Sequence, residues 1–238
     1  MKKLLERVKR LIFVPKCIFC GEVLPLSITV CLCEKCRAQA PFANDKICER
    51  CGKPIDMVQG DLICKTCRNE KRYFDKGISV FVYEEKPKQA IIRFKFYNKK
   101  SFARTLGSLL AQAIKDKLTD MEIDILTYVP LHPKRLRERG YHQTKMLAHY
   151  VSEICGLPMQ EVLVKTHYTP PQRTLKAAER KQNIANSFWV ALDIKGKSVL
   201  LIDDVYTTGI TVNTCAKALK KAGAKQVLVA TVAIGKDF

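Results

Sequence analysis

Nowhere in the 238 residues does an apolar run approach the roughly 20 residues that a membrane-spanning helix requires. A secretion signal is missing too. The opening MKKLLERVKRLIF breaks its apolar positions Leu4, Leu5, Val8, Leu11 and Ile12 with Glu6, Arg7, Lys9 and Arg10. Residues 1–16 therefore read as an amphipathic basic helix rather than a cleavable leader. Acidic side chains are scarce: 23 Asp and Glu face 42 Lys and Arg, a formal charge of +19. The excess is +7 up to Arg72 and +12 beyond it, so both halves suit anionic partners such as phosphorylated sugars or nucleic acid. With neither span nor leader, the chain is expected in the cytoplasm, where disulfides do not persist.

The eleven cysteines then need another explanation, and nine of them fall between residues 17 and 68. Cys17, Cys20, Cys33 and Cys36 form C-x₂-C-x₁₂-C-x₂-C, and Cys48, Cys51, Cys64 and Cys67 repeat it with the same spacing 31 residues on. A C-x₂-C turn presents two thiolates together, completed here by Gly21 and Gly52 in a left-handed conformation, and two such turns supply a tetrahedral Zn²⁺. Each unit is too short to build a core, so the metal supplies its folding free energy. Two structural zinc ions are expected, lowering the charge to about +15 through their thiolates. The spacing leaves open whether the ligands pair sequentially or crosswise. Cys31, Cys155 and Cys215 read as small apolar fillers.

Beyond about Tyr73 the composition turns to alternating strands and helices. Strands are expected at 77–83, 123–129, 161–164, 187–190, 199–202 and 226–234, and helices at 89–96, 101–117 and 141–155. Such alternation predicts a parallel sheet that binds ligands at the carboxyl ends of its strands. The central stretch is SVLLIDDVYTTGITVNTCAKALKKA, Ser198 to Ala222. Its apolar strand ends in Asp203 and Asp204, expected to be exposed at the strand end. Thr207, Thr208, Gly209 and Thr211 follow, then a helix with Val212, Cys215, Ala216 and Leu219 on one face. Free N–H groups of a first helical turn, a glycine that lets the backbone approach, and threonine hydroxyls together make a phosphate cradle. The two acids are placed for the vicinal hydroxyls of a sugar. An N-capped turn would need one acid and no threonine cluster.

Two further segments should meet at that edge. VPLHPKRLRERGYHQ (129–143) crowds Lys134, Arg135, Arg137 and Arg139 after a strand end; for Arg135 and Arg137 a solvated basic face is an equal reading. His142 reads as a base, a ligand or a hydrogen-bonding spacer. HYTPPQRTLKAAERKQN (167–183) is polar and long enough for a functional loop or lid. Around the cysteine module Arg37, Lys65, Arg68, Lys71 and Arg72 stand beside Tyr73 and Phe74, a combination suited to weak, salt-sensitive binding of single-stranded DNA.

The strand, acid pair and T-G-x-T loop resemble the PRPP-binding loop of type I phosphoribosyltransferases, with Ile210 where that family usually carries Gly, Ala or Ser. Arg139-Gly140-Tyr141-His142-Gln143 is close to the R-G-F-N-Q of one subfamily, and Gln172, Arg180 and Asn183 match its pattern, as does Lys95 in FKFY. With the cysteine module, nearly the whole chain resembles the ComF family. The resemblance implies a phosphoribosyltransferase-like domain over 73–238 behind a double zinc-ribbon module over 17–72. It implies that Asp203 and Asp204 hold the ribose hydroxyls of Mg²⁺-PRPP, that Tyr206, Thr207, Thr208, Gly209, Ile210 and Thr211 form the 5′-phosphate loop, and that Leu131, His132, Pro133 and Lys134 with Arg139 take the pyrophosphate. It also implies a role in DNA uptake during natural transformation, beside the DNA-uptake helicase. Three readings follow. The chain is a PRPP-dependent transferase to a nitrogen nucleophile, a DNA-uptake adaptor that retains a PRPP site, or a nucleic-acid module with a PRPP sensor. The adaptor with a retained site is favoured.

Overall fold

The computed structural model describes residues 14–44, 46–55, 62–165 and 187–236. Most of the amphipathic segment 1–16 lies outside them, as does the polar segment carrying Gln172, Arg180 and Asn183.

Four strands form a parallel sheet in the order β1 (Lys76–Val82), β6 (Gln226–Ile234), β5 (Ser198–Tyr206), β2 (Ile125–Tyr128). The strands are almost entirely buried, which is why they read as continuous Val, Ile, Leu and Ala runs rather than alternating patterns. One face carries Ile78, Leu200, Ile202 and Leu228 against Phe94 of α3 (Glu85–Phe96), α4 (Phe102–Lys117) and α6 (Gln143–Cys155). The other carries Val199, Leu201, Val227 and Val229 against α7 (Ile210–Lys221). The amphipathic pattern of 101–117 therefore finds its partner: Leu106, Leu110 and Ile114 are buried on the first face.

The two cysteine units, each with one short helix (α1, Glu34–Ala38; α2, Lys65–Asn69), are built into this sheet rather than tethered to it. The link between them runs along the outer edge of β1, where Phe42 bridges to Phe81 and Ala43 N–H donates to Val80 O at 2.9 Å. An edge strand that would otherwise offer unpaired backbone groups is thereby covered. Gly52 lies so close to β1 that a Cβ would stand 2.7 Å from Gly77 O. Only glycine fits there, and its φ of +74° favours glycine as well.

Two expectations change. The segments near 161–164 and 187–190 do not join the parallel sheet. They form a separate antiparallel pair, β3 (Leu163–Lys165) and β4 (Phe188–Val190). Their burial explains this: Leu163 and Phe188 point inward while Val164 and Trp189 point out, the alternation of a ribbon with one wet face. The basic segment after β2 is also more ordered than a loop. Pro133 to Arg139 form a short helix, α5, capped by the His132 side chain and ended by Gly140 in the left-handed region.

Candidate functional site

β5 extends four residues past Ile202, because β6 continues beside it: Asp203 pairs with Thr231 and Tyr206 with Ile234. The acid pair therefore lies inside the ladder, not beyond it. Asp203 and Asp204 are 8% and 4% exposed, contrary to the exposed strand end that the sequence suggested. The chain then turns through exposed Thr207 and Thr208 into Gly209, whose φ of +75° caps α7. A Cβ on Gly209 would stand 2.3 Å from the Tyr206 ring, so the loop backbone lies directly on that ring. Thr208 Oγ1 accepts from Ile210 N–H at 3.4 Å, and Val212, Cys215, Ala216 and Leu219 anchor α7 from below. Ile210 is half-buried against the same core, which occupies its side chain. Tyr206 itself turns inward, away from the loop surface, in edge-on contact with Phe74 at 6.2 Å.

Strand alternation sends the two carboxylates to opposite faces. Asp204 meets Lys95 Nζ at 2.6 Å through Oδ1 and accepts from Gln143 Nε2 at 3.0 Å through Oδ2. This gives Lys95, a lysine with no role assigned from sequence, a definite place. Asp203 faces α7, where its charge is felt by Cys215 and by Lys165. Burial, then the neighbouring charge of Asp204, push the Asp203 carboxyl up to about 8. Lys95 and the Asp204 N–H, which donates to Asp203 Oδ1 at 2.8 Å, offset only part of this.

Cations converge around the pair. Arg139 is pushed below its ordinary value by burial and by repulsion from Arg135, while the charge of Asp204 draws it the other way. Lys165 is pushed down by burial and again by Arg135. Arg135, whose role the sequence left open, thus belongs to the cluster. Among the described residues Arg139 Nη1 and Gln143 Oε1 are buried without a hydrogen-bond partner. Arg139 also lies 5.1 Å over the ring of Phe96. Leu131, His132, Pro133 and Lys134 form the turn into α5, with Pro133 and Lys134 exposed and Leu131 and His132 half-buried. His142 is a spacer. Its Nε2 stands 3.0 Å from Leu131 N, while its Nδ1 lies 3.1 Å from Thr144 Oγ1 and 3.3 Å from Lys145 N at the start of α6, and the Thr144 hydroxyl donates to Val129 O at 2.7 Å. Burial, aided by Lys145, holds the ring down to about 4, so it stays neutral and fixes the turn that carries Leu131.

The cysteines assemble sequentially, which settles the pairing that spacing left open. Cys17, Cys20, Cys33 and Cys36 form one cluster, and Cys48, Cys51, Cys64 and Cys67 the other, with the sulfurs of each within 4.8 Å of one another. Cys20–Cys33 and Cys51–Cys64 are each 3.7 Å apart between sulfurs. A ZnS₄ tetrahedron with bonds of about 2.3 Å has edges of about 3.8 Å, so both sets fit zinc. Cys31 lies outside the clusters, half-buried against the first core. The second unit touches the phosphate loop through Tyr206, beside which Arg72 is buried. Asn213 ties the two together: Oδ1 accepts from Tyr73 N–H at 2.8 Å and Nδ2 donates to Lys71 O at 3.0 Å. Sequence reasoning missed this latch, because nothing near Asn213 in the chain points 140 residues back. It also corrects the DNA surface drawn from the sequence. Arg72 and Phe74 are 4% and 1% exposed, spent on packing under the loop, whereas Arg37, Lys65, Arg68 and Lys71 are exposed and Tyr73 is half-buried.

Residues 8–68 match the family model described as a double zinc ribbon domain, and residues 145–237 match the phosphoribosyl transferase domain. Among curated proteins, the chain is 30% identical to Competence protein F of Haemophilus influenzae, over 90% of this chain and 94% of that one. It is 28% identical to the DNA utilization protein YhgH of Escherichia coli, over 83% and 88% of the two chains. It is 26% identical to Competence protein ComFC of Streptococcus pneumoniae, over 89% and 96%. The likeness runs through ribbons and sheet alike, in the order in which this chain fuses them, and the chain belongs to the ComF family.

Proposed function

We propose that this chain binds PRPP, or a closely related 5-phosphorylated sugar, as part of a protein of DNA uptake in natural transformation. The observation that carries the reading is the convergence on one sheet edge of a glycine-capped helix start, two buried acids and the cations Lys95, Arg135, Arg139 and Lys165. Cations that repel one another are held together at a cost that an anionic ligand removes. In this reading the backbone N–H groups at the start of α7 and the hydroxyls of Thr207, Thr208 and Thr211 take the 5′-phosphate. Asp203 and Asp204 take the ribose hydroxyls, which requires Lys95 and Gln143 to release Asp204 or to share it. Leu131 to Lys134 with Arg139 take the pyrophosphate. Mg²⁺ would be held mainly by the substrate phosphates, with the Asp204 carboxylate the nearer oxygen donor of the two acids, and would neutralise pyrophosphate charge. Gln172, Arg180 and Asn183 are assigned to the cover of that end.

The names of the relatives, two competence proteins and a DNA utilization protein, support a DNA-related setting. A place in the cytoplasm beside the uptake helicase, with single-stranded DNA handled by the basic surface, belongs to this proposal. Transfer of phosphoribose to a nitrogen nucleophile remains the second reading, favoured by Gln143 Oε1 and Arg139 Nη1, buried polar atoms with no partner among the described residues. Calorimetric titration of the zinc-loaded protein with PRPP, with and without Mg²⁺, tests the site. Saturable binding that Mg²⁺ tightens is expected; no heat with either would remove PRPP from the reading. Asp203→Asn with Asp204→Asn should abolish binding with the fold intact.

A further inference from the structure

Trp189 is the only tryptophan of the chain, and it is 56% exposed. It projects from the wet face of the β3–β4 ribbon, directly opposite Val164, itself exposed. The ribbon does not lie flat on the domain. Between it and α7 runs a groove of about 360 Å³, walled on one side by Phe188, Trp189 and Val190 and on the other by Lys217 and Lys221. Its α7 wall is floored by Ala218 and Ala222, small enough to admit a flat ring. Among the described residues no carboxylate lines the groove, and neither lysine meets one. Lys220, one position away, is by contrast paired with Asp75 at 2.8 Å. Among the described residues the charge in the groove is therefore uncompensated, while the charge beside it is paired.

The surface continues past the groove. Lys217 also lies 5.4 Å from the ring of Tyr73, and Lys71 lies 5.3 Å from the same ring. Lys71, Tyr73, Lys217, Trp189 and Lys221 thus alternate cation and aromatic ring from the second zinc unit along α7. This is the surface that the buried Phe74 and Arg72 cannot provide. Phosphates spaced along a flexible backbone meet cations, and bases turned out of the strand meet ring faces. A duplex keeps its bases stacked inside and cannot use the rings.

We propose that the groove between β4 and α7 is a binding site for single-stranded nucleic acid, with one base stacked on Trp189 and the flanking phosphates on Lys217 and Lys221. The inference deepens the DNA-handling part of the proposed function and rests on it. The site is separate from the phosphate loop: it uses the middle and end of α7, whereas the loop uses its start.

The single tryptophan supplies the test. Zinc-loaded full-length protein is titrated at low salt with labelled oligothymidylate of about fifteen nucleotides, a length that fills one site of this kind. Oligonucleotide anisotropy and tryptophan fluorescence are read together. Quenching that saturates with the anisotropy is expected. Trp189→Ala should weaken binding roughly ten-fold and Trp189→Phe much less, since phenylalanine keeps a stacking face. Lys217→Gln with Lys221→Gln should lower the salt slope by about 1.4, two contacts at about 0.7 each. A rise in anisotropy with the tryptophan unquenched and the alanine variant unaffected would put the strand elsewhere, on the exposed Phe96 and Tyr97 for instance. That result would overturn this site and leave the DNA-handling reading standing. No anisotropy change at low salt would overturn both. Equal quenching by a duplex of the same sequence would overturn the assignment to single strands.

Discussion

The two cysteine units share one spacing and do different work. In the first, Cys20 is exposed and Ile18, Phe19 and Leu32 pack against β1 and α4, with Phe19 edge-on to Phe81 at 5.6 Å. One latch is Cys31 N–H to Thr105 Oγ1 at 3.0 Å, in the first turn of α4. In the second unit all four cysteines are buried, Gly52 abuts β1, and Tyr206, Arg72 and Asn213 connect it to the loop. Identical ligand spacing fixes the metal and nothing else. What the metal supports depends on the residues between the ligands and on the surface they meet.

The largest effect should come from removing the metals one at a time. Cys51→Ser should release the second zinc, lower Tm by more than about 10 °C, and abolish PRPP binding, because loss of several kcal/mol of metal-linked folding removes the floor under Tyr206. Cys20→Ser alters an exposed corner of the first cluster. It should cost its zinc with a smaller fall in Tm and leave PRPP affinity within a few-fold. Zinc content, thermal melts and titration of both variants make the comparison; equal loss of PRPP affinity would break it.

The next effect separates the two faces of the sheet. Asp203 lies on the face of the second unit, and its carboxyl is raised to about 8. A raised acid keeps its proton in the folded state, so it favours folding below its unfolded value near 3.8 and loses that contribution as pH climbs to about 8. Asp203→Asn should therefore stabilise the free protein at pH 8 and make no difference below about pH 4, while PRPP binding is lost. Melts of both proteins from pH 4 to pH 9 measure this. A difference independent of pH would show that Asp203 ionises normally.

Smaller still, the two latches can be cut separately. Asn213→Ala removes two hydrogen bonds of about 1 kcal/mol each and should weaken PRPP binding several-fold. Thr105→Val removes the Cys31 latch of the first unit, which Lys86 still holds through Gln39 Oε1 at 3.3 Å, and should cost about 1 kcal/mol of stability with PRPP affinity unchanged. The smallest effect is expected from Tyr206→Phe. The Tyr206 hydroxyl is buried without a hydrogen-bond partner among the described residues, so its loss should leave denaturation midpoints unchanged or slightly raised.

Much of this molecule was legible in the chain because the signals are local. A C-x₂-C turn carries its own geometry, and the loop from Asp203 to Thr211 keeps donors, acids and glycine within nine residues. The sheet strands were legible for a related reason: burial on both faces demands uninterrupted apolar residues. The length of β5 was not. Four apolar residues suggested a strand that stopped at Ile202, and only the continuation of β6 to Ile234 shows why the ladder carries two carboxylates into the interior. The short segments at 163–165 and 188–190 failed similarly, since three residues cannot reveal whether their partner is a sheet or each other.

By itself, then, the amino-acid order determined the metal-ligand sets, the glycine turn between β5 and α7 and the alternation of strand and helix, since each depends on residues only a few positions apart. Tertiary structure alone decided that Arg72 and Phe74 are interior while Tyr73 and Trp189 are not. It alone decided that Lys95 and Gln143 close on Asp204, and that one of two identical cysteine patterns props the loop. Burial is a property of what a side chain meets, and here the partners lie 61 to 140 residues away in the chain, at Asp204 for Lys95 and for Gln143 and at Asn213 for Tyr73. No local pattern records distances of that kind.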